Sequence, residues 1–198
     1  MKRETLWFWL WFTQGLLMQM IDVITTADFV PGQRGGSYLL RIEVADELVV
    51  RFGHFQGGEV VRAPAGVYVY VGSALRGLGS RLLRHASRSQ FDAQTIYTPM
   101  QSHFQEWGLT SPGWRPRPKT LCWHVDYLLE ETAVTLTHVL LIRSQQNWER
   151  EVARLLLAEE GVRPLARGLG ASDDQGQTHL LAAPASLAWW KGLRGIFD

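Results

Sequence analysis

The stretch Ala65-Gly-Val-Tyr-Val-Tyr-Val-Gly-Ser-Ala-Leu-Arg-Gly-Leu-Gly-Ser-Arg-Leu-Leu-Arg-His85 decides the fold. Val67 to Val71 alternate β-branched and aromatic side chains, which suit a covered strand. Gly72, Gly77 and Gly79 then break the strand, and Leu78, Leu82 and Leu83 begin an apolar stripe at helical spacing. On that helix Arg81, Arg84, His85 and Arg88 fall at i, i+3, i+4 and i+7, so the period places them on one face opposite the leucines. Arg76 precedes them in the turn, and no Asp or Glu occurs between Gly72 and Asp92. Two readings are open: a solvated helix face, or a local anion site. The formal net charge is only +1, so no global field recruits a polyanion, and any such site must come from clustering of this kind.

Upstream, Ser37-Tyr-Leu-Leu-Arg-Ile-Glu-Val44 reads as a strand, with Ala45-Asp-Glu47 as a turn and Leu48-Val-Val-Arg-Phe52 as its hairpin partner. Glu59-Val-Val-Arg62 is a short third strand. Downstream, residues 89–120 carry Pro99, Pro112, Pro116 and Pro118 without a clean period, which predicts an inserted loop, a lid or a disordered excursion. Trp123-His-Val-Asp-Tyr-Leu-Leu129 is a short helix, Val134 to Ile142 a buried strand, and Asn147 N-caps a helix running to about Glu160. In that helix the 3.6-residue period turns Glu149 towards the stripe of Trp148, Val152, Leu155 and Leu156, and turns Glu151 further away. A carboxylate so placed is a salt bridge, a cap that suits the helix dipole, or a ligand.

A chain of 198 residues with 46% hydrophobic content supports one domain. Its divisions are an apolar extension over residues 1–35, a domain over 36–183 with the insertion at 89–120, and a Trp-rich tail over 184–198. The lone Cys122 excludes an internal disulfide framework and a multi-cysteine zinc site, which fits a reducing, cytoplasmic setting. Leu6 to Phe12 with Leu16, Leu17, Met18 and Met20 is strongly apolar, yet Thr13, Gln14 and Gln19 interrupt it short of the roughly 20 residues of a span. A partner-packing or interfacial helix, an upstream translation start ahead of Met18 or Met20, and a membrane anchor over residues 6–20 are the three readings, with the interruptions weighing against the last. The Trp-rich ends suit a protein partner. Gly77-Leu-Gly79 is too short to cradle a phosphate alone, and no small-molecule cofactor is expected.

Gly66-Val-Tyr-Val-Tyr-Val-Gly-Ser-Ala74, Arg81-Leu-Leu-Arg-His85, Trp123 to Leu129, and Gly170-Ala-Ser-Asp173 with His179-Leu180 resemble the GIY-YIG nuclease superfamily, specifically the uncharacterised branch sometimes fused to endonuclease III-type glycosylases. The resemblance spans roughly residues 36–183. It implies an α/β domain of the α+β kind, with a small central antiparallel sheet flanked by helices and, in this chain, an extra N-terminal hairpin. It further implies a divalent-metal-dependent endonuclease acting on DNA, in repair or recombination. By resemblance, Tyr38 and Tyr70 are the two motif tyrosines, with Tyr68 competing for a motif role. Arg81 is the catalytic arginine, His85 the residue four after it, and Glu149 the ligand for Mg²⁺ or Mn²⁺. Arg76, Arg84 and Arg88 would contact the nucleic acid.

A guanidinium can hold two phosphate oxygens, and a tyrosine or histidine can relay a proton from water. His124 and Asp126 are read either as satisfying hydrogen bonds in the core or as a site rim, which Ser172 and Asp173 would complete. The branch's cysteine after Glu149 is replaced by Arg150, and its cysteine-bearing segment by Ser172-Asp-Asp-Gln175. Competing readings are a non-catalytic nucleic-acid or repair-partner binding module on the same fold, and a structural partner protein working through its Trp-rich ends.

Overall fold

A computed structural model describes residues 21–26, 28–90, 92–115, 117–170 and 177–196. The expectations for residues 1–20 and for Ser172 and Asp173 lie outside these. Among the described residues no helix is long and apolar enough to cross a membrane.

The fold is α+β. Strands β1 (Ile21–Thr25), β2 (Gly36–Val44), β5 (Gly66–Ser73), β6 (Val134–Arg143), β7 (Arg163–Pro164) and β8 (Leu180–Ala183) form one sheet in the order β1-β6-β2-β5-β8-β7. β1 runs parallel to β6, and the other pairings are antiparallel. Because successive strand residues face opposite ways, the sheet sorts its apolar side chains between two cores. Tyr38, Leu40, Tyr70, Val139 and Leu141 share a core with helices α1 (Leu78–Ala86), α2 (Tyr97–Glu106) and α3 (His124–Glu130). Leu39, Val69, Val71, Leu140 and Ile142 pack on the other side against α4 (Glu149–Ala158) and α5 (Leu187–Gly192). The arrangement is three layers, helices on both faces of one sheet.

Four features depart from the sequence reading. Leu48–Arg51 (β3) does not pair with β2; it pairs with Val60–Ala63 (β4) in a separate two-stranded sheet, because β2 already has β5 and β6 on its two edges. The extra hairpin therefore stands beside the main sheet. The segment before residue 36 is not wholly an extension, since β1 supplies an edge strand of the main sheet. The insertion is built into the core: Ile96, Met100 and Phe104 are fully buried, spaced four apart on and beside α2. Pro99 falls in the first turn of α2, where its missing N–H is tolerated, so it marked a helix start rather than a break. The tail is likewise docked, with Trp190 and Leu193 buried in the second core.

Candidate active site

Register places the site at the start of β2 and the end of β5, where Tyr38 faces Gly72 and Ser37 faces Ser73. A Cβ at position 72 would lie 2.5 Å from Cζ and the hydroxyl of Tyr38, so glycine is what lets the Tyr38 ring lie across β5. The ring's hydroxyl thereby reaches α1 and sits 2.8 Å from Nε2 of His85. On the other side of the imidazole, Nδ1 is 2.8 Å from Oδ1 of Asp126, from α3. Tyr38, His85 and Asp126 are all fully buried. His85 is therefore not part of a solvated cation face. α3 packs over that side of α1 and takes the imidazole inside.

The charges along this chain follow from its surroundings. Burial, the largest influence on Asp126, pushes its pKa up, but the bond to His85 and the charge of Lys119 outweigh it and hold the carboxyl below its ordinary value. Burial lowers the pKa of His85, with Asp126 opposing and Lys119 and Arg81 reinforcing. Burial likewise raises Tyr38 and Tyr70 well above a normal phenol, with the charge of Arg81 opposing in both. A carboxylate facing a neutral imidazole fixes the tautomer: Nδ1–H donates to Asp126, and Nε2 accepts from the Tyr38 O–H. Lys119, from the insertion, completes the cluster by donating to the Ser87 carbonyl at 2.8 Å, with Asp126 at 3.6 Å and Glu130 at 3.1 Å.

Tyr70 shares this face, its ring centroid 6.2 Å from Tyr38 and 6.1 Å from His85. Tyr68 does not compete for the position, because its hydroxyl donates to the Pro64 carbonyl at 2.7 Å. The guanidinium of Arg81 lies 3.7 Å from the Trp123 ring centroid, and Trp123 in turn meets the edge of His85 at 5.6 Å. Arg81 thus bridges the buried chain and the surface.

Glu149 arrives from the opposite layer. The Asn147 side chain accepts from the Glu149 N–H at 2.9 Å, and the Trp148 N–H donates to Ser37 Oγ, which seats the start of α4 over the ends of β2 and β5. Ser73 Oγ donates to Glu149 Oε2 at 2.6 Å, and His179 Nδ1 lies 2.8 Å from Oε1. Burial raises the Glu149 pKa, but His179, Ser73 and the charge of Arg81 together prevail and keep it below the ordinary carboxylate value. Glu151 is exposed and pairs with Arg154 at 2.6 Å. Among the described residues no group of three or more His, Cys, Asp or Glu side chains could hold a metal. The donor set is one ionised carboxylate, which fits Mg²⁺ only where water and phosphate oxygens fill the remaining positions.

A cleft of about 720 Å³ opens beside Ser73. Arg76, Arg81 and Arg84 line it from the β5–α1 side, Trp114, Arg115 and Arg117 from the insertion, and Trp123 from the start of α3. Its described lining holds five arginines and no carboxylate. Residues 37–191 match the family described as "Domain of unknown function DUF123".

The chain belongs to the DUF123 family. No curated protein and no solved structure matches it. The DUF123 span contains the Tyr38–His85–Asp126 chain, Glu149, His179 and both walls of the cleft.

Two expected site residues of this DUF123 domain stand elsewhere. Arg88 lies just beyond α1 and donates to the carbonyls of Leu129, Glu131 and Val134, tying α3 to β6; its donors serve the fold and do not face the cleft. His124 is half-buried, accepts from the Gly170 N–H at 3.0 Å and packs edge-on against Phe55, so its contacts are structural and it does not line the cleft. Asp126 lies inside the buried Tyr38–His85–Asp126 chain rather than on the cleft's rim. Six residues were given no site role by the sequence reading: Ser73, Lys119, His179, Trp114, Arg115 and Arg117. A signal existed for the insertion's residues, since Trp114, Arg115 and Arg117 concentrate aromatic and cationic side chains in a short stretch.

Proposed function

We propose that the protein is a divalent-metal-dependent endonuclease of the GIY-YIG type, hydrolysing phosphodiester bonds of DNA in the cytoplasm, in repair or recombination. The observation that carries the reading is the buried Tyr38–His85–Asp126 chain, which meets Arg81 at one end of a carboxylate-free arginine cleft. In this reading Arg81 turns from the Trp123 ring to a phosphate and places two N–H donors on its oxygens. A water gives its proton to the Tyr38 oxygen while the Tyr38 proton passes to His85 Nε2, and Asp126 stabilises the imidazolium. The hydroxide so formed bonds to phosphorus, the bond to the leaving oxygen breaks, and that oxygen takes a proton from solvent. When bound at Glu149, Mg²⁺ or Mn²⁺ supplies Lewis acidity to the scissile phosphate.

A binding module without turnover is the second reading, favoured by two observations: both motif tyrosines are buried, and both Glu149 oxygens already have protein partners. A partner protein would engage residues 1–20 rather than Trp190, which the core encloses. The deciding experiment incubates the full chain with labelled duplex, branched and single-stranded DNA, with and without Mg²⁺ or Mn²⁺. Metal-dependent cutting that Arg81→Ala reduces by about 10²-fold or more supports the nuclease. Binding with no cutting by folded wild-type protein supports the module and overturns the nuclease.

A further inference from the structure

The insertion over residues 89–120 gives the cleft a wall of its own, and its chemistry narrows the ligand. Arg115 and Arg117 face the lumen with Trp114 beside them, opposite Arg76, Arg81 and Arg84. The two lining tryptophans differ. Trp123 is covered by the Arg81 guanidinium at 3.7 Å, with Arg84 at 5.1 Å. Trp114 is half-buried, anchored below against the first core and by the Gln101 amide on its carbonyl. Among the described residues no aromatic ring or guanidinium stacks on it.

This wall is held in place by the core rather than swung on a hinge. Gly79 of α1 has the chain at Leu109 and Thr110 so close that a Cβ there would come within about 3 Å of both, and Lys119 is locked by Ser87, Asp126 and Glu130. Trp114 therefore stands as a fixed aromatic face in a cationic groove. Guanidiniums bind the phosphates of any nucleic acid. A stacked duplex, however, presents phosphates and base edges outward and keeps its base faces covered, so a fixed indole gains contact only with a base that is out of the stack.

We infer that the cleft binds a nucleic-acid segment with at least one unpaired nucleotide, whose base stacks on Trp114 while Arg115, Arg117 and Arg76 hold the flanking phosphates. This rests on the reading of the cleft as a nucleic-acid site, but not on turnover.

The test is equilibrium binding of the full chain in EDTA to a labelled single-stranded oligonucleotide, and to the same strand annealed to its complement. Because Trp114 also packs on the core, the variants are Trp114→Leu, which fills the space without a π face, and Trp114→Phe, which keeps one; a melting curve verifies that each is folded. Tighter binding of the single strand by wild type is expected. Trp114→Leu should weaken it by roughly 5- to 150-fold, leaving the duplex within about 2-fold, and Trp114→Phe should retain most of the affinity. Arg115→Ala or Arg117→Ala should weaken both forms and lower the salt slope by about one each. Equal loss on both forms in Trp114→Leu, single-strand binding indifferent to position 114, or binding to anionic lipid vesicles but to neither oligonucleotide would overturn the inference. Metal-free binding of this pattern without any cutting sustains it while the nuclease reading fails. Cutting of duplex with no single-strand preference does the reverse.

Discussion

The Tyr38 hydroxyl and His85 Nε2 lie 2.8 Å apart inside the protein, and the Asp126 carboxylate on the far nitrogen sets the direction of that bond. Tyr38 must donate, which leaves its lone pairs free to accept a proton from elsewhere. A tyrosine with a raised pKa is a poor base alone; coupled to a neutral imidazole it can exchange one proton for another without becoming a phenolate.

Tyr38→Phe isolates that role, because it removes one oxygen and leaves the ring. The lost bond strands a buried imidazole nitrogen, at a cost of about 1–3 kcal/mol. Metal-dependent cleavage should fall by roughly 10²-fold or more, whereas oligonucleotide binding in EDTA should not change. Single-turnover cleavage and binding measured side by side check this. Unaltered cleavage by the variant removes Tyr38 from the mechanism.

The same cluster predicts a pH dependence of stability. His85 faces Tyr38 on β2, Tyr70 on β5, Asp126 and Trp123 at α3, and the charges of Lys119 and Arg81; burial lowers its folded pKa. Between that depressed value and the unfolded value of about 6.5, the unfolded chain binds a proton that the folded one refuses. Stability is therefore complete above about pH 6.5 and declines as acid is added through that window. Asp126, also depressed, moves the same way at lower pH. His124 and His138 share the sign, so the wild-type profile alone does not isolate His85. Thermal melts from about pH 8 to about pH 5 should show a steeper decline for wild type than for His85→Gln. Parallel profiles would contradict the assignment.

Gly72→Ala tests why the strand carries a glycine between Val71 and Ser73. The new methyl group would meet the Tyr38 ring and hydroxyl at 2.5 Å, so the ring must shift away from His85. Overpacking of this kind costs about 1–3 kcal/mol, or roughly 2–4 °C of melting temperature per kcal/mol in a domain this size. Stability should drop by that amount and cleavage by more than the drop explains. A variant melting and cutting like wild type would mean that Tyr38 relaxes freely.

Much of this arrangement was legible because it obeys local periods. The alternation of Val67 to Val71 gave β5, the leucine spacing gave α1, and the turn of α4 separated Glu149 from Glu151. What failed depended on partners distant in sequence. The period of α1 alone grouped His85 with the arginines, and only the packing of α3 across that helix hides it. Leu48–Arg51 carries a good strand composition, but nothing local says which edge it will join. Arg88 looked like a member of the cation face because its three carbonyl partners come from residues more than 40 positions away. The insertion was opaque for a related reason: its buried residues Ile96, Met100, Phe104 and Leu109 are spaced out among polar ones and pack on elements distant in sequence, and its prolines resemble those of a loop.

The last expectation concerns the two acids of α4. Glu149 is held between Ser73 and His179 at the end of β5, ionised at neutral pH and beside the cleft, whereas Glu151 points to solvent and pairs with Arg154. Glu149→Gln keeps an oxygen for Ser73 but removes the charge, so a divalent cation should lose its anchor while the arginines still hold nucleic acid. Cleavage across a Mg²⁺ titration should therefore vanish in Glu149→Gln, binding in EDTA should match wild type or exceed it as a negative charge behind the Ser73 edge of the groove is removed, and Glu151→Gln should behave as wild type in both assays. The outcome that sinks the assignment is loss of cutting in Glu151→Gln, or cutting in Glu149→Gln at the wild-type rate and the wild-type Mg²⁺ midpoint.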